Sequence, residues 1–291
     1  MATISIYSII IALGICSSYT DIKFQKIKNL HIFFATFSGL IIYAYLIINH
    51  IIPCDINLLF NFLVSVGIGF LLYYTDIWGA GDAKLFIVYC LLMPTGKHFA
   101  ILPFSSIIIF MNIFLFGMLA ILILSIGKII ENKYLLFKKI FSLETLSKLG
   151  NSFLIVFGLG WIIQTLINPS KPYSNPLLII LILYFSYLLL YKIVNKLKNN
   201  HLIFVILAAG LVSRFMFQTI DFTFSNLLLY FKKAFFYTLI FYILNIIFNL
   251  NKAEGEKKRR IPFAPFMFLG TLASNTDFIY WFTRILDSFK R

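Results

Sequence analysis

The chain has 291 residues, of which 60% are apolar and 12% charged, about half the roughly 25% charged share of a soluble domain. A mean hydropathy of +0.92, with several unbroken apolar runs matching the ~20 residues that cross a bilayer, excludes an ordinary water-soluble globule. Lys and Arg number 25 against 11 Asp and Glu, a formal charge of +14. On so apolar a chain this excess points to anionic membrane lipid and to topology, not to nucleic acid.

The expected class is all-α, a polytopic integral membrane protein with about nine or ten transmembrane helices. The first apolar run, residues 3–19, has no basic residue before it and Lys23, Lys26 and Lys28 soon after it. A cleaved signal peptide carries its charge in front, so a retained first span is predicted. Further spans are predicted at 30–48, 57–75, 85–97, 101–127, 153–167, 177–194, 202–220, 234–250 and 261–280. The fourth span meets Pro94, Thr95 and Gly96 early, and the last opens with Pro262 and Pro265 and contains Asn275 and Asp277. A bent or re-entrant segment stays open at both places, where protein or water satisfies its backbone.

Basic residues concentrate on the cytoplasmic side of a membrane. With an outside N-terminus and strict alternation, the inner loops 20–29, 76–84, 128–152, 192–201 and 251–260 hold 17 Lys and Arg, whereas the outer loops 49–56, 94–100, 168–176 and 221–233 hold 4. An outside N-terminus is therefore expected. The longest polar stretch, 128–152, places Leu135, Leu136, Phe137, Ile140, Phe141 and Leu143 among lysines and reads as a cytoplasmic helix lying on anionic headgroups. Cys16, Cys54 and Cys90 are isolated, without the spacing that holds zinc or marks a disulfide scaffold. No metal and no cofactor are expected.

Ionisable residues at membrane depth are costly and usually functional, so the acids carry the search for chemistry. Glu131, Glu144, Glu254 and Glu256 sit in basic loops; Asp55 and Asp221 lie in outer loops, and Asp277 and Asp287 belong to the C-terminal end. Asp21, Asp76 and Asp82 remain. Asp21 closes the first span in SSYTDIKFQKIKN, and Asp82 opens the fourth in DIWGAGDAKLF. By the charge count both face the cytoplasm. Two carboxylates at one depth on different helices suit general acid/base hydrolysis of a peptide bond, because neighbouring like charges keep one acid protonated while the other is ionised. Taken singly, Asp21 is a helix-end acid at the water interface and Asp82 an acid satisfying a helix dipole; their shared sidedness favours the paired reading. Gly79 and Gly81 flank Ala80 just before Asp82 and permit an unusual turn or a close backbone approach there. Asp76 reads as an interfacial cap or, beside a dyad, as a binder of basic substrate.

TDIKFQKIKN together with GAGDAKLF resembles the paired motifs of the type IV prepilin peptidases, including the archaeal preflagellin peptidases, whose second aspartate lies in a GxGD sequence. IPFAPFMFLG at 261–270 looks like the proline-aromatic stretch that opens the last core helix of bacterial members. The resemblance implies a membrane aspartyl peptidase that cuts the short basic leader of a prepilin-like or archaellin-like precursor at the cytoplasmic face of the cell membrane. It carries the catalytic roles onto Asp21 and Asp82, with Gly79, Gly81 and Lys84 in support, since Lys84 fits the GxGD-x-K pattern. Asp76, Pro262, Phe263 and Pro265 become neighbours of the substrate site. Pro262 suits the first turn of a helix. Ala264 stands where the bacterial pattern commonly has glycine. Bifunctional members precede the first aspartate with a domain of paired cysteine motifs; only 20 residues precede Asp21, so cleavage without N-methylation is the expectation.

On this reading residues 1–127 form the peptidase core, 128–250 an additional cytoplasmic segment with transmembrane helices, and 251–291 the last core helix and tail. Family members are usually more compact between the fifth span and the proline motif. A presenilin-like or signal-peptide-peptidase-like protease fits less well, because two whole spans separate Asp21 from Asp82, Thr20 precedes the first acid and no Pro-Ala-Leu occurs. A transporter would place acids near the midplane and break helices in repeated halves. A non-catalytic assembly protein of a pilus machine would tolerate amides at both aspartates. Arg214, inside a span near its outer end, reads as a snorkelling side chain, and His31 as packing.

Overall fold

The computed structural model describes residues 2–51, 56–93, 105–131, 143–166, 176–197, 201–217, 224–250 and 262–274. The all-helical expectation holds. The helices are α1 (Ala2–Phe24), α2 (Asn29–Ile48), α3 (Ile56–Tyr74), α4 (Ala80–Leu92), α5 (Ser105–Glu131), α6 (Leu143–Leu166), α7 (Pro176–Leu197), α8 (His201–Phe217), α9 (Phe224–Leu250) and α10 (Ala264–Ala273), and no strand occurs among the described residues. Four of them hold stretches long and apolar enough to cross a bilayer, Ser5–Phe24, Asn29–Ile48, Ser105–Gly127 and Leu227–Ile246. Several shorter apolar helices accompany them, and the chain is a multi-pass membrane protein.

Each predicted span contains a helix, but the helices overrun the predicted loops. α5 and α6 run into the 128–152 segment from either side, α7 carries Lys192 and Lys196, and α9 begins at Phe224 so that Lys232 and Lys233 are helical. Hydropathy marks where a helix is apolar, not where it ends, and Lys is a good helix former. The 132–142 part of the amphipathic segment, Cys54, Asp55 and the 251–260 loop lie outside the described residues.

The chain divides into two compact units, one of residues 1–120 and 256–291, the other of residues 121–255. In the first, α4 packs against α1, α2, α3 and α10. It has 13 residues, about 20 Å of helix at 1.5 Å per residue, too short for the ~30 Å hydrocarbon core. Its Ala83, Leu85, Phe86, Val88, Tyr89, Cys90 and Leu92 are all buried. Ala80 and Lys84 near its start are exposed, and from Leu85 onward α4 is a core helix. α2 differs: it buries Ile32, Ala35, Gly39, Tyr43 and Leu46 and leaves Phe33, Phe34, Phe37 and Ile41 exposed, an apolar outer face suited to lipid.

Polar side chains join the ends of these helices. The buried Asn61 on α3 accepts the Ser106 N–H of α5 at 2.8 Å, satisfying one of the amides that a helix start leaves without an internal partner. Asn112 Nδ2 donates to Ser274 Oγ at 2.8 Å, tying α5 to the end of α10. α2 and α3 finish alike. His50 and Asp76 adopt left-handed φ of 55° and 54°, the N–H groups of His50 and Asp76 reach Ile47 and Tyr73, and those of Ile51 and Ile77 reach Leu46 and Leu72. This is the Schellman pattern, usually built on glycine. Asp76 thus caps α3 through its backbone.

In the second unit α6 packs against α7, α8 and α9. Its crossing with α8 is set by two glycines. A methyl group at Gly158 would stand 2.8 Å from the Ile206 carbonyl oxygen, and one at Gly210 would stand 2.8 Å from Gly158 Cα. Small residues that let backbones touch are the usual device where lipid removes the hydrophobic drive between helices. Elsewhere in this unit Phe157 packs on Trp161 with centroids 4.3 Å apart, Tyr184 on Phe241 at 4.8 Å, and Ser152 Oγ lies 3.0 Å from Tyr187 Oη.

Gly158→Ala and Gly210→Ala are expected to destabilise the detergent-solubilised protein by about 1–3 kcal/mol through overpacking, read as a lower midpoint of thermal unfolding. Gly160, with open space around it, makes the control: Gly160→Ala is expected to be neutral or to gain up to about 1 kcal/mol from helix propensity. At the end of α3, Asp76→Gly should hold or raise stability, whereas Asp76→Val should lower it by about 1–2 kcal/mol because a β-branched residue resists positive φ.

Candidate active site

Asp21 sits one turn before the end of α1. The buried side of this helix carries Ile6, Ile10, Leu13, Ser17 and Thr20, with Gly14 facing the Phe268 ring of α10. The hydroxyls of Ser17 and Thr20 donate back to carbonyls of the preceding turn, so they are satisfied within the helix. Asp21 is 8% exposed, and its Oδ2 accepts the backbone N–H of Ala264 at 2.9 Å. Ala264 is the first residue of α10. The acid therefore rests on a helix N-terminus, where backbone N–H groups and the helix dipole favour negative charge. Just beyond, Gln25 donates its N–H to the Asp21 carbonyl at 2.9 Å and turns the chain with φ 52°.

Asp82 lies in the first turn of α4, half-buried. Its Oδ2 accepts the Gly79 N–H at 3.0 Å. This is the acid's half of a capping box; glycine has no side chain to return the other half. Gly79 has φ −74°, which any residue adopts, so its conformation does not call for glycine. The close approach is at Gly81, where an added Cβ would stand 3.2 Å from Ile27 Cβ. The start of α4 thus abuts the α1–α2 connection that follows Asp21. Lys84 strengthens the same join, its Nζ donating to Asn29 Oδ1 of α2 at 3.2 Å.

The proline-aromatic stretch meets both regions. α10 begins at Ala264, so Pro265, not Pro262, occupies its first turn, and Phe263 is the N-cap. The Phe263 carbonyl accepts N–H groups from Phe266 and Met267, both at 3.1 Å, while its ring stands 5.7 Å from the ring of Trp78. α10 comes this close to α5 because Gly270 lies against the Ile113 backbone. Pro262, Phe263 and Pro265 are half-buried.

Asp21, Gly79, Gly81, Asp82, Lys84 and the 262–265 segment are joined by these contacts. Asp76 is exposed at the C-terminal turn of α3. Sequence reasoning passed over Trp78, Ile27, Asn29 and the Ala264 amide. Of these only Trp78 left a signal, a large apolar residue inside the polar run DIWGAGD. Among the described residues no group of three or more His, Cys, Asp or Glu comes together as metal ligands. Chemically, the arrangement offers two carboxylates, each with one oxygen oriented by a backbone amide at a helix start.

Comparison with curated proteins and with solved structures finds no match. Over residues 8–126, a stretch that contains both Asp21 and Asp82, the chain matches the model of the type IV leader peptidase family, and the resemblance carried by the two motifs holds there.

Proposed function

We propose that this protein is a membrane aspartyl endopeptidase that removes the short basic leader of a prepilin-like or preflagellin-like precursor at the cytoplasmic face of the cell membrane. The observation that carries the reading is the hydrogen bond from Ala264 to Asp21, with Phe263 beside it packed on the Trp78 that precedes the GAGD turn. The hydrogen bond joins the first motif to the third, and the ring contact sets the third beside the second, which supports reading the three as one site. The family match adds that the stretch bearing the acids is of leader-peptidase type.

In this mechanism one carboxylate is ionised and takes a proton from a water that attacks the scissile carbonyl. The other is protonated and donates a hydrogen bond to the developing oxyanion. Breakdown of the tetrahedral intermediate returns a proton to the leaving amine, with no covalent enzyme intermediate. The exposed Asp76 supplies negative charge for the leader's basic residues, and the chain's own Lys and Arg excess holds the inner loops against anionic headgroups.

Asp21→Asn and Asp82→Asn are each expected to leave the protein folded and to reduce cleavage to a trace, because an amide keeps shape but cannot carry the charge that activates water. Incubation with precursors bearing a basic leader, followed by mapping of the new N-terminus, measures this. Substantial turnover by either variant, in a preparation free of other proteases, would return both acids to structural roles. Asp76→Asn should keep most activity, with any loss confined to strongly basic leaders.

Orientation has its own test. Single cysteines introduced in 20–29 and 76–84 are expected to react with an impermeant thiol reagent from the cytoplasmic side alone. Labelling of the two segments from opposite sides rules out a shared site.

A further inference from the structure

Next to the GAGD turn stands Trp78, a residue that the cleavage chemistry does not itself use. Trp78 is 5% exposed. Its backbone N–H donates to the Leu72 carbonyl at 3.2 Å, anchoring it to the end of α3. Its ring meets one partner from each of three other elements: Phe86 of α4 at 5.3 Å, Phe110 of α5 at 6.0 Å and Phe263, the N-cap of α10, at 5.7 Å. Phe86 and Phe110 close the cluster edge to face at 6.1 Å.

The neighbours of this contact are the groups that hold the acids. Gly79, next after Trp78, donates its N–H to Asp82; Ala264, next after Phe263, donates its N–H to Asp21. A path of direct contacts therefore runs from Asp82 through Gly79, Trp78, Phe263 and Ala264 to Asp21. A buried Trp covers about 150–250 Å², and its aromatic pairs hold it beyond that burial. Rings from three elements over-determine where the indole sits, and so where the turn beside it sits.

We propose that Trp78 is a positioning residue: by locking the GAGD turn against Phe263 it fixes the spacing of the Asp21 and Asp82 carboxylates. The inference rests on the peptidase reading. Trp78 acts through Gly79 and Phe263. Truncation to alanine empties the cluster and lets the turn carrying Asp82 relax, and a misplacement of about 1 Å costs on the order of 100-fold in rate.

The test is steady-state cleavage of a basic-leader precursor by the full chain and its variants, with unfolding midpoints measured alongside. Trp78→Ala is expected to lower kcat about 10- to 100-fold and to leave KM within about threefold, since ground-state binding is not what is lost. Trp78→Phe, which keeps an aromatic ring in the cluster, should stay within about threefold of wild type. The double variant Trp78→Ala/Phe263→Ala should be no slower than the slower single, because both remove one contact. Wild-type kcat in Trp78→Ala, a rise in KM at constant kcat, or fully multiplicative losses in the double variant each overturn the proposal. If Trp78→Ala does not fold, Trp78→Leu replaces it, and equal activity of Trp78→Leu and Trp78→Phe overturns the proposal. A wild-type chain that cleaves no precursor overturns the peptidase reading before any variant is compared; wild-type turnover indifferent to Trp78 overturns the positioning role alone.

Discussion

The hydrogen bond between the Ala264 N–H and the Asp21 carboxylate joins residues 243 apart in sequence, and much of the first unit is arranged to make it. An almost fully buried carboxylate needs donors, and one that loses its partner leaves an uncompensated charge that costs several kcal/mol. A hydrogen bond to such a charged group contributes about 1.5–3 kcal/mol net. To deliver the amide, α10 has to lie against α1 and α5 at once. Gly14 yields to Phe268, Gly270 yields to the Ile113 backbone, and Ser274 ties the far end of α10 to Asn112. A side chain missing from one partner at each crossing, Gly14 of α1 and Gly270 of α10, lets α10 reach the acid.

The two units solve the packing of apolar helices in different ways. In the first, α4 is mostly buried from Leu85 onward, and aromatic rings and hydrogen bonds near helix ends fix its surroundings. In the second, backbone meets backbone at Gly158 and Gly210. The first arrangement holds particular side chains in particular places, as chemistry between two acids demands. The second brings helix backbones together, with the buried Ser152 and Tyr187 hydroxyls paired alongside.

Helices were legible in the sequence because an apolar run of spanning length has few other fates. Their ends were not. The lysines of α7 continue a helix after its apolar stretch stops, those of α9 sit in a helix that starts ahead of the predicted span, and Asp76 and His50 end helices with a left-handed turn normally read from glycine. Asp21 and Asp82 were legible as rare acids beside apolar spans, reinforced by a motif pair. What orients them was not. The donor to Asp21 is a backbone amide, which every residue but proline possesses, so nothing in the letter at position 264 announces it. Gly81 and Gly79 look equivalent in GAGD, yet only the contact of Gly81 with Ile27 distinguishes them. That contact is tertiary. Trp78 was visible as an oddity whose partners, Phe110 and Phe263, come from distant segments.

The long sequence gap bridged by Ala264 has a consequence for biogenesis. Translation delivers Asp21 early and its donor late; at roughly 5–20 residues per second the interval for 243 residues is on the order of 10–50 s. Throughout that time the acid has entered the membrane machinery without the amide that holds it, while α6 to α9 are still being made. On the proposed chemistry the nascent chain therefore holds an incomplete site until α10 arrives, after the intervening helices have been made.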